Sequence, residues 1–257
     1  MRKILQLFYK IYLFKRIVPS LLKIFLKFFD FNKIIIKHDN VLIQLNLKNP
    51  IDREIFLKDK YEKKQIDFLS DQIEKKKIDY FLDIGAHMGF YSVNLSKKKI
   101  NIFSFEPIKE NFNQLEKNKI INNLENIKLY NVALSDKKRD ITMWVSDKNK
   151  TGGFSVFDKN DQELAKYKRD KIFHTVCKSD QGDNLLDLKN KNIAIKIDVE
   201  RHEKNVLDGM PKLLKNNKVI LQIELFDQRK DEVIEKLKQK NFFNYHKIQK
   251  DYYFKNF

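Results

Sequence analysis

From residue 78 onward, short apolar runs alternate with stretches of helical period. Strand-length runs fall at 78–84, 100–105, 127–132, 193–199 and 219–225, and helical patterns follow the first two and the last two. Such alternation predicts an α/β domain: a mostly parallel, Rossmann-like sheet with helices on both faces. Upstream, two β-rich runs at 32–37 and 41–47 flank His38-Asp39-Asn40 and predict a hairpin. Residues 61–74 read as a helix with Ile66, Leu69 and Ile73 on one face. The pattern divides the chain into a basic helical segment (1–30), a hairpin-and-helix extension (31–77) and the α/β domain (78–257).

The first thirty residues follow a different rule. Arg16, Ser20, Lys23, Lys27 and Asp30 recur every three or four residues, so they share one narrow helical face. Ile17, Leu21, Leu22, Ile24, Phe25, Leu26, Phe28 and Phe29 fill the remaining wide arc. Charges interrupt every apolar run before it could span a bilayer or act as a secretory signal. Two readings stay open: a helix lying in a membrane interface, or one docked on the domain or on a second subunit.

Composition changes this picture little. At 42% hydrophobic residues, 257 residues suffice for a core. Lys and Arg number 52 against 35 acids, a net charge of +17, which suggests an anionic partner. The general enrichment in Lys, Asn and Ile weakens that inference, and the only local basic cluster is N-terminal. Cys177 stands alone, and the five histidines form no metal-binding spacing. No zinc site is expected, and a lone reduced thiol suits a cytoplasmic compartment, with the N-terminal segment as a possible peripheral membrane contact.

The clearest chemistry lies in Asp83-Ile84-Gly85-Ala86-His87-Met88-Gly89. Gly85 permits a sharp turn and close ligand approach, and Gly89 permits tight helix packing. A dinucleotide site would show G-x-G-x-x-G with its helix N-terminus on a pyrophosphate. Here an acid precedes the turn, which repels pyrophosphate but suits an ammonium, such as the methionine end of S-adenosylmethionine. The next strand ends in Glu106-Pro107, where a carboxylate can accept both ribose hydroxyls. Pro107 fits the start of a helix burying Ile108, Phe112, Leu115 and the stem of Lys119. Ala133, in Asn131-Val132-Ala133-Leu134-Ser135-Asp136, is expected beside the adenine.

On the fourth strand of the domain, Lys196, Asp198 and Glu200 alternate with apolar residues and point to one side. Charges on a central strand are costly unless paired or used. These three, with His202, are the candidates for orienting an acceptor or accepting its proton.

Taken together, Asp83–Gly89, Phe105-Glu106-Pro107, Asn131–Asp136 and Lys196-Ile197-Asp198-Val199-Glu200 resemble FkbM-type methyltransferases, in the same order. The resemblance implies a class I methyltransferase fold with a seven-stranded sheet, S-adenosylmethionine as cofactor, and O-methylation of a hydroxyl on a sugar, glycan or small metabolite. It implies that Asp83, Gly85, His87, Gly89, Glu106 and Ala133 bind the donor. Arg201 stands where the family usually carries glycine, so it either strains the turn or fills the acceptor pocket. His87 replaces a common asparagine. The segment 151–183 matches only loosely and is expected to shape the acceptor site.

Two other functions compete. A nucleic-acid methyltransferase would use an Asn/Asp-Pro-Pro-aromatic motif after the fourth strand; Asp198-Val199-Glu200-Arg201 differs, and its acids disfavour a phosphate backbone. A non-catalytic methyltransferase-like module at a membrane finds its best argument in Arg201.

Overall fold

The computed structural model describes residues 2–11, 17–28, 32–58, 60–145, 173–225 and 230–257. Helices α1 (Arg2–Lys10) and α2 (Ile17–Phe28) precede the hairpin β1 (Lys33–His38) and β2 (Val41–Asn46), then α3 (Pro50–Leu57) and α4 (Lys63–Lys75). The α/β domain follows: β3 (Tyr80–Ile84), α5 (Phe90–Leu95), β4 (Asn101–Phe105), α6 (Lys109–Ile121) and β5 (Ile127–Tyr130). Next come β6 (Ala133–Leu134), β7 (Arg139–Val145), β8 (Phe173–Asp180) and α7 (Gly182–Leu185). The domain closes with β9 (Asn192–Ile197), α8 (Glu203–Asp208), α9 (Pro211–Asn216), β10 (Lys218–Glu224), α10 (Lys230–Gln239), β11 (Phe243–Ile248) and β12 (Asp251–Lys255).

Seven strands form the main sheet in the order β11-β12-β10-β9-β3-β4-β5. The run from β10 to β5 is parallel, and β12 lies antiparallel to both of its neighbours. Taken in chain order, the strands lie 6-7-5-4-1-2-3, the class I methyltransferase arrangement. The predicted parallel core is present. The antiparallel pair β11–β12 and the separate sheet β6-β8-β7 carried no strand-by-strand expectation, because their apolar residues form no run as long as those of the parallel strands. The chain reverses direction across the sheet between β3 and β9, and open α/β sheets bind ligands at the carboxyl ends of strands at such a switch point.

The hairpin is integrated by polar as well as apolar contacts. The predicted buried face of α6 was Ile108, Phe112, Leu115 and the stem of Lys119. The observed face buries Ile108, Asn111, Leu115 and Asn118, with Phe112 and Lys119 only half-buried. Its amides serve the unpaired edge of β2. The Leu42 N–H donates to Asn122 Oδ1 at 2.8 Å and the Gln44 N–H to Asn118 Oδ1 at 2.7 Å. Gln114 Nε2 donates to the Gln44 carbonyl at 2.9 Å, and Asn118 Nδ2 to the Met88 carbonyl at 2.9 Å. A strand edge that would invite intermolecular pairing is thereby satisfied. One apolar cluster runs from Ile43, Leu45 and Ile55 through Leu69 to Phe81 and Met88, so the extension and the domain share a core.

Helix α1 rests on α3: Arg2 Nε and Gln6 Nε2 donate to the Phe56 carbonyl at 3.0 and 3.2 Å. In α2, Val18 and Leu22 are buried with the hairpin while Ile17 and Leu21 face outward. Arg16, Phe29 and Asp30 of the predicted amphipathic arc lie outside the described residues, as do residues 151–172 of the loosely matching segment. Among the described residues, no helix is long and apolar enough to cross a membrane.

Candidate functional site

A cleft of about 990 Å³, mouth included, opens at the carboxyl ends of β3, β4 and β9. On one side, a tight turn is enforced sterically. Gly85 has φ +81, and a Cβ there would lie 1.9 Å from the Asp198 carbonyl oxygen. The turn therefore needs glycine because the β9 backbone passes against it. Gly89, at φ +83, would place a Cβ 2.2 Å from Leu115 Cδ1, so its role is to let α6 close on the turn. His87 also adopts positive φ, 51°, a region where asparagine is tolerated better than most side chains. Burial first, against the charge of Asp198, lowers its imidazole to about 4, so the ring is neutral. Its Nε2 lies 3.5 Å from Asn49 Nδ2.

Glu106 ends β4 inside the cleft, 4% exposed. The backbone N–H of His87 donates to its Oε2 and that of Ile108 to its Oε1, both at 2.8 Å. These bonds fix the carboxylate in place, but burial dominates and pushes its pKa up to about 7. A buried acid with spare lone pairs is a receptor for hydroxyl donors. Ala133 lines the same end with Ile108, Val132 and Met143, an apolar slot suited to a flat base.

Asp83 occupies a different place from the one its motif suggested. It is fully buried and absent from the cleft lining. Its Oδ2 accepts the N–H and hydroxyl of Ser92 at 3.1 and 2.5 Å, and its Oδ1 is buried without a hydrogen-bond partner. Asp83 pairs in register with Lys196 on β9. Burial raises its pKa, and the Lys196 charge opposes that rise. Asp83 thus braces α5 against the sheet and reaches the cleft only through the field it shares with Lys196.

On the other side of the cleft, charges gather. Lys196 Nζ lies 2.9 Å from Asp198 Oδ2 and 4.7 Å from the ring centroid of Tyr91. Burial disfavours its ammonium, but Asp198, Asp83 and Glu62 outweigh that and hold its pKa above the ordinary lysine value. Glu224, at the end of β10, hydrogen-bonds Asp198. Burial, then the Asp198 charge, pushes Glu224 well up, so it carries the proton of that pair. Glu200, in the cleft lining with φ 48, is raised to about 7 by burial, then by Asp198 and Glu203.

Arg201 has φ 76 and is not a lining residue. Of the two expectations for it, the turn is strained and the cleft is left open. His202 lines the cleft and its Nε2 lies 2.9 Å from Ser135 Oγ, which donates to Asp136 Oδ1 at 2.9 Å.

Sequence reasoning missed Tyr61 and Glu62, which enter the cleft from the turn before α4, and Ile51 and Ile55 of α3. Glu62 sits at φ 46 with a raised pKa, burial first. The Asn49-Pro50 pair that starts α3, with Asn49 capping Ile51 N–H, was a legible helix signal. Nothing local marks Glu62 as a cleft residue or Glu224 as the partner of Asp198.

Residues 83–246 match the family profile of the methyltransferase FkbM domain. No curated protein matches the chain. Similar solved structures include magnesium protoporphyrin IX methyltransferase from Synechocystis PCC 6803 with bound S-adenosylmethionine. It shows 10% identity and a TM-score of 0.45 over 80% of this chain and 83% of that one. Precorrin-6y C5,15-methyltransferase from Geobacter metallireducens GS-15 shows 13% identity and a TM-score of 0.38, over 69% and 78%. A Pyrococcus abyssi tRNA (uracil-54, C5)-methyltransferase with S-adenosyl-L-homocysteine shows 9% and 0.46, over 87% of this chain but 43% of that one.

Proposed function

The chain belongs to the FkbM methyltransferase family, a family of S-adenosylmethionine-dependent enzymes, and on that premise we propose that it methylates a hydroxyl oxygen of a sugar, glycan or small-metabolite acceptor. The cleft residues fit the donor. Glu106 is the receptor for the ribose hydroxyls, the Ala133 slot for the adenine, and Gly85 keeps the turn open beside them. Asp198 lines the cleft next to Gly85, so it, rather than Asp83, is the acid assigned to the donor's ammonium.

When bound, the donor supplies an electrophilic methyl group on a positively charged sulfur. The protein's task is then to hold a hydroxyl in line and take its proton. Glu200 carries this reading: a half-buried cleft carboxylate raised to about 7 changes protonation where a hydroxyl-activating base must work. Lys196 fixes Asp198, and protonated Glu224 limits the repulsion among the clustered acids. His202, held by Ser135, borders this region and orients the acceptor.

Titration calorimetry of the full chain tests donor binding, and failure to bind at millimolar S-adenosylmethionine overturns the reading. Incubation with sugar and glycan acceptors is expected to give alkali-stable methyl ethers by mass spectrometry. Methyl esters or N-methyl products would overturn hydroxyl specificity.

A further inference from the structure

Helix α1 carries apolar residues on both of its sides. Inward, Leu5 and Tyr9 pack on the apolar cluster, Gln6 is 5% exposed, and both Arg2 and Gln6 reach the Phe56 carbonyl of α3. Outward, Ile4 and Leu7 are 60% and 64% exposed, and Ile11, just past the end of the helix, is 47% exposed. A helix on a water-facing surface keeps its outward side polar. Helix α2 adds exposed Ile17 and Leu21. The outward residues are large aliphatics, too many in a short segment to be the scattered exceptions of an ordinary surface.

Charge selects among possible covers for this face. Arg2, Lys3, Lys10, Lys15, Arg16, Lys23 and Lys27 precede the first acid, Asp30. A second copy would bring the same positive charge and repel. An anionic bilayer surface complements both features at once, because apolar side chains enter the headgroup boundary while lysines meet lipid phosphates.

We propose that the outward face of α1, with Ile17 and Leu21 of α2, docks the protein on the surface of an anionic membrane. Neither helix spans it, and each lies in the interface plane. The contact leaves the donor end of the cleft untouched, since none of these residues lines it.

Flotation of the full chain with phosphatidylglycerol-containing vesicles, with pure phosphatidylcholine vesicles as the comparison, provides the test. Co-flotation is expected with the former, weakening as salt rises. Ile4→Asp and Leu7→Asp each remove an exposed apolar side chain, so they should fold normally and lower vesicle affinity by at least about tenfold. Unchanged S-adenosylmethionine affinity in both variants shows that the fold and the donor site are intact. Absence of flotation overturns the proposal. So does a dimer in sedimentation velocity that Leu7→Asp dissociates, because the face would then belong to a second copy. Flotation that both aspartate variants retain overturns it too.

Discussion

The two ends of the cleft solve the same problem, holding polar groups in a dry place, by different means. At the end proposed for the donor the backbone dominates: two positive-φ glycines shape the turn, and two main-chain N–H groups fix Glu106. Toward the end proposed for the acceptor side chains dominate: Lys196, Glu200, Glu224 and Glu62 gather around Asp198, which stands between the two ends, and are held by charge and shared protons. A backbone frame tolerates no change of residue at its turn and serves one invariant ligand. A side-chain cluster can be rearranged by single substitutions, which suits the part of an enzyme that chooses among acceptors.

Several substitutions would break or sharpen that contrast. The largest effect is expected at the acceptor end: Glu200→Gln should lower kcat by about 10²–10⁴-fold, the span of general-base catalysis, with donor affinity unchanged by calorimetry. A kcat within a factor of a few of the parent would remove Glu200 as the base. Gly85→Ala, at the donor end, combines positive-φ strain with a clash against rigid backbone. It should cost about 3 kcal/mol or more, read as loss of donor binding and a lowered Tm together. Glu106→Gln should weaken donor binding by about 2 kcal/mol, roughly thirtyfold, through loss of charge-assisted bonds. An unchanged affinity would take Glu106 out of the ribose site.

The pH dependence links the two ends. Glu106 and Glu200, and with them Asp52 of α3, buried outside the cleft lining where it accepts the Asn46 N–H, have folded pKa values raised to about 7, 7 and 6, above their ordinary carboxylate values, with burial the first cause in each. An acid raised by folding binds its proton more tightly when folded. Its stabilising contribution is complete below the unfolded pKa and is lost as pH rises toward the folded one. Unfolding free energy is therefore expected to fall between about pH 4.5 and 7, while kcat rises through about pH 7 as Glu200 ionises. Denaturant titrations and rate profiles across that window measure both trends, and parallel curves would contradict the assignment. The smallest effect is expected at Arg201. Arg201→Gly relieves a left-handed conformation worth about 1 kcal/mol, so Tm should rise by roughly 2–4 °C. A fall would mean that contacts of the Arg201 side chain outweigh the strain.

Much of the donor end was legible because its requirements are local. A glycine needing positive φ and an acid ending a strand leave a mark at fixed spacing, and the parallel core shows in its apolar runs. Asp83 is the instructive exception. The motif locates the residue, but the side chain turns toward Ser92 because its face of β3 packs on α5 rather than opening on the cleft. The antiparallel hairpin β11–β12 left little trace, since β11 buries no residue fully.

By itself, the sequence determined the α/β class, the order of its motifs, the turn at Gly85 and the position of Glu106, because each is set by neighbours a few residues away. Only the tertiary structure decided that Glu62 and Glu224 join Asp198, that α6 closes the hairpin edge with amides, and that α1 leaves Ile4 and Leu7 facing outward. Those outcomes depend on which surfaces meet across long stretches of chain, and burial, charge pairing and hydrogen-bond satisfaction settle them only once the chain is folded.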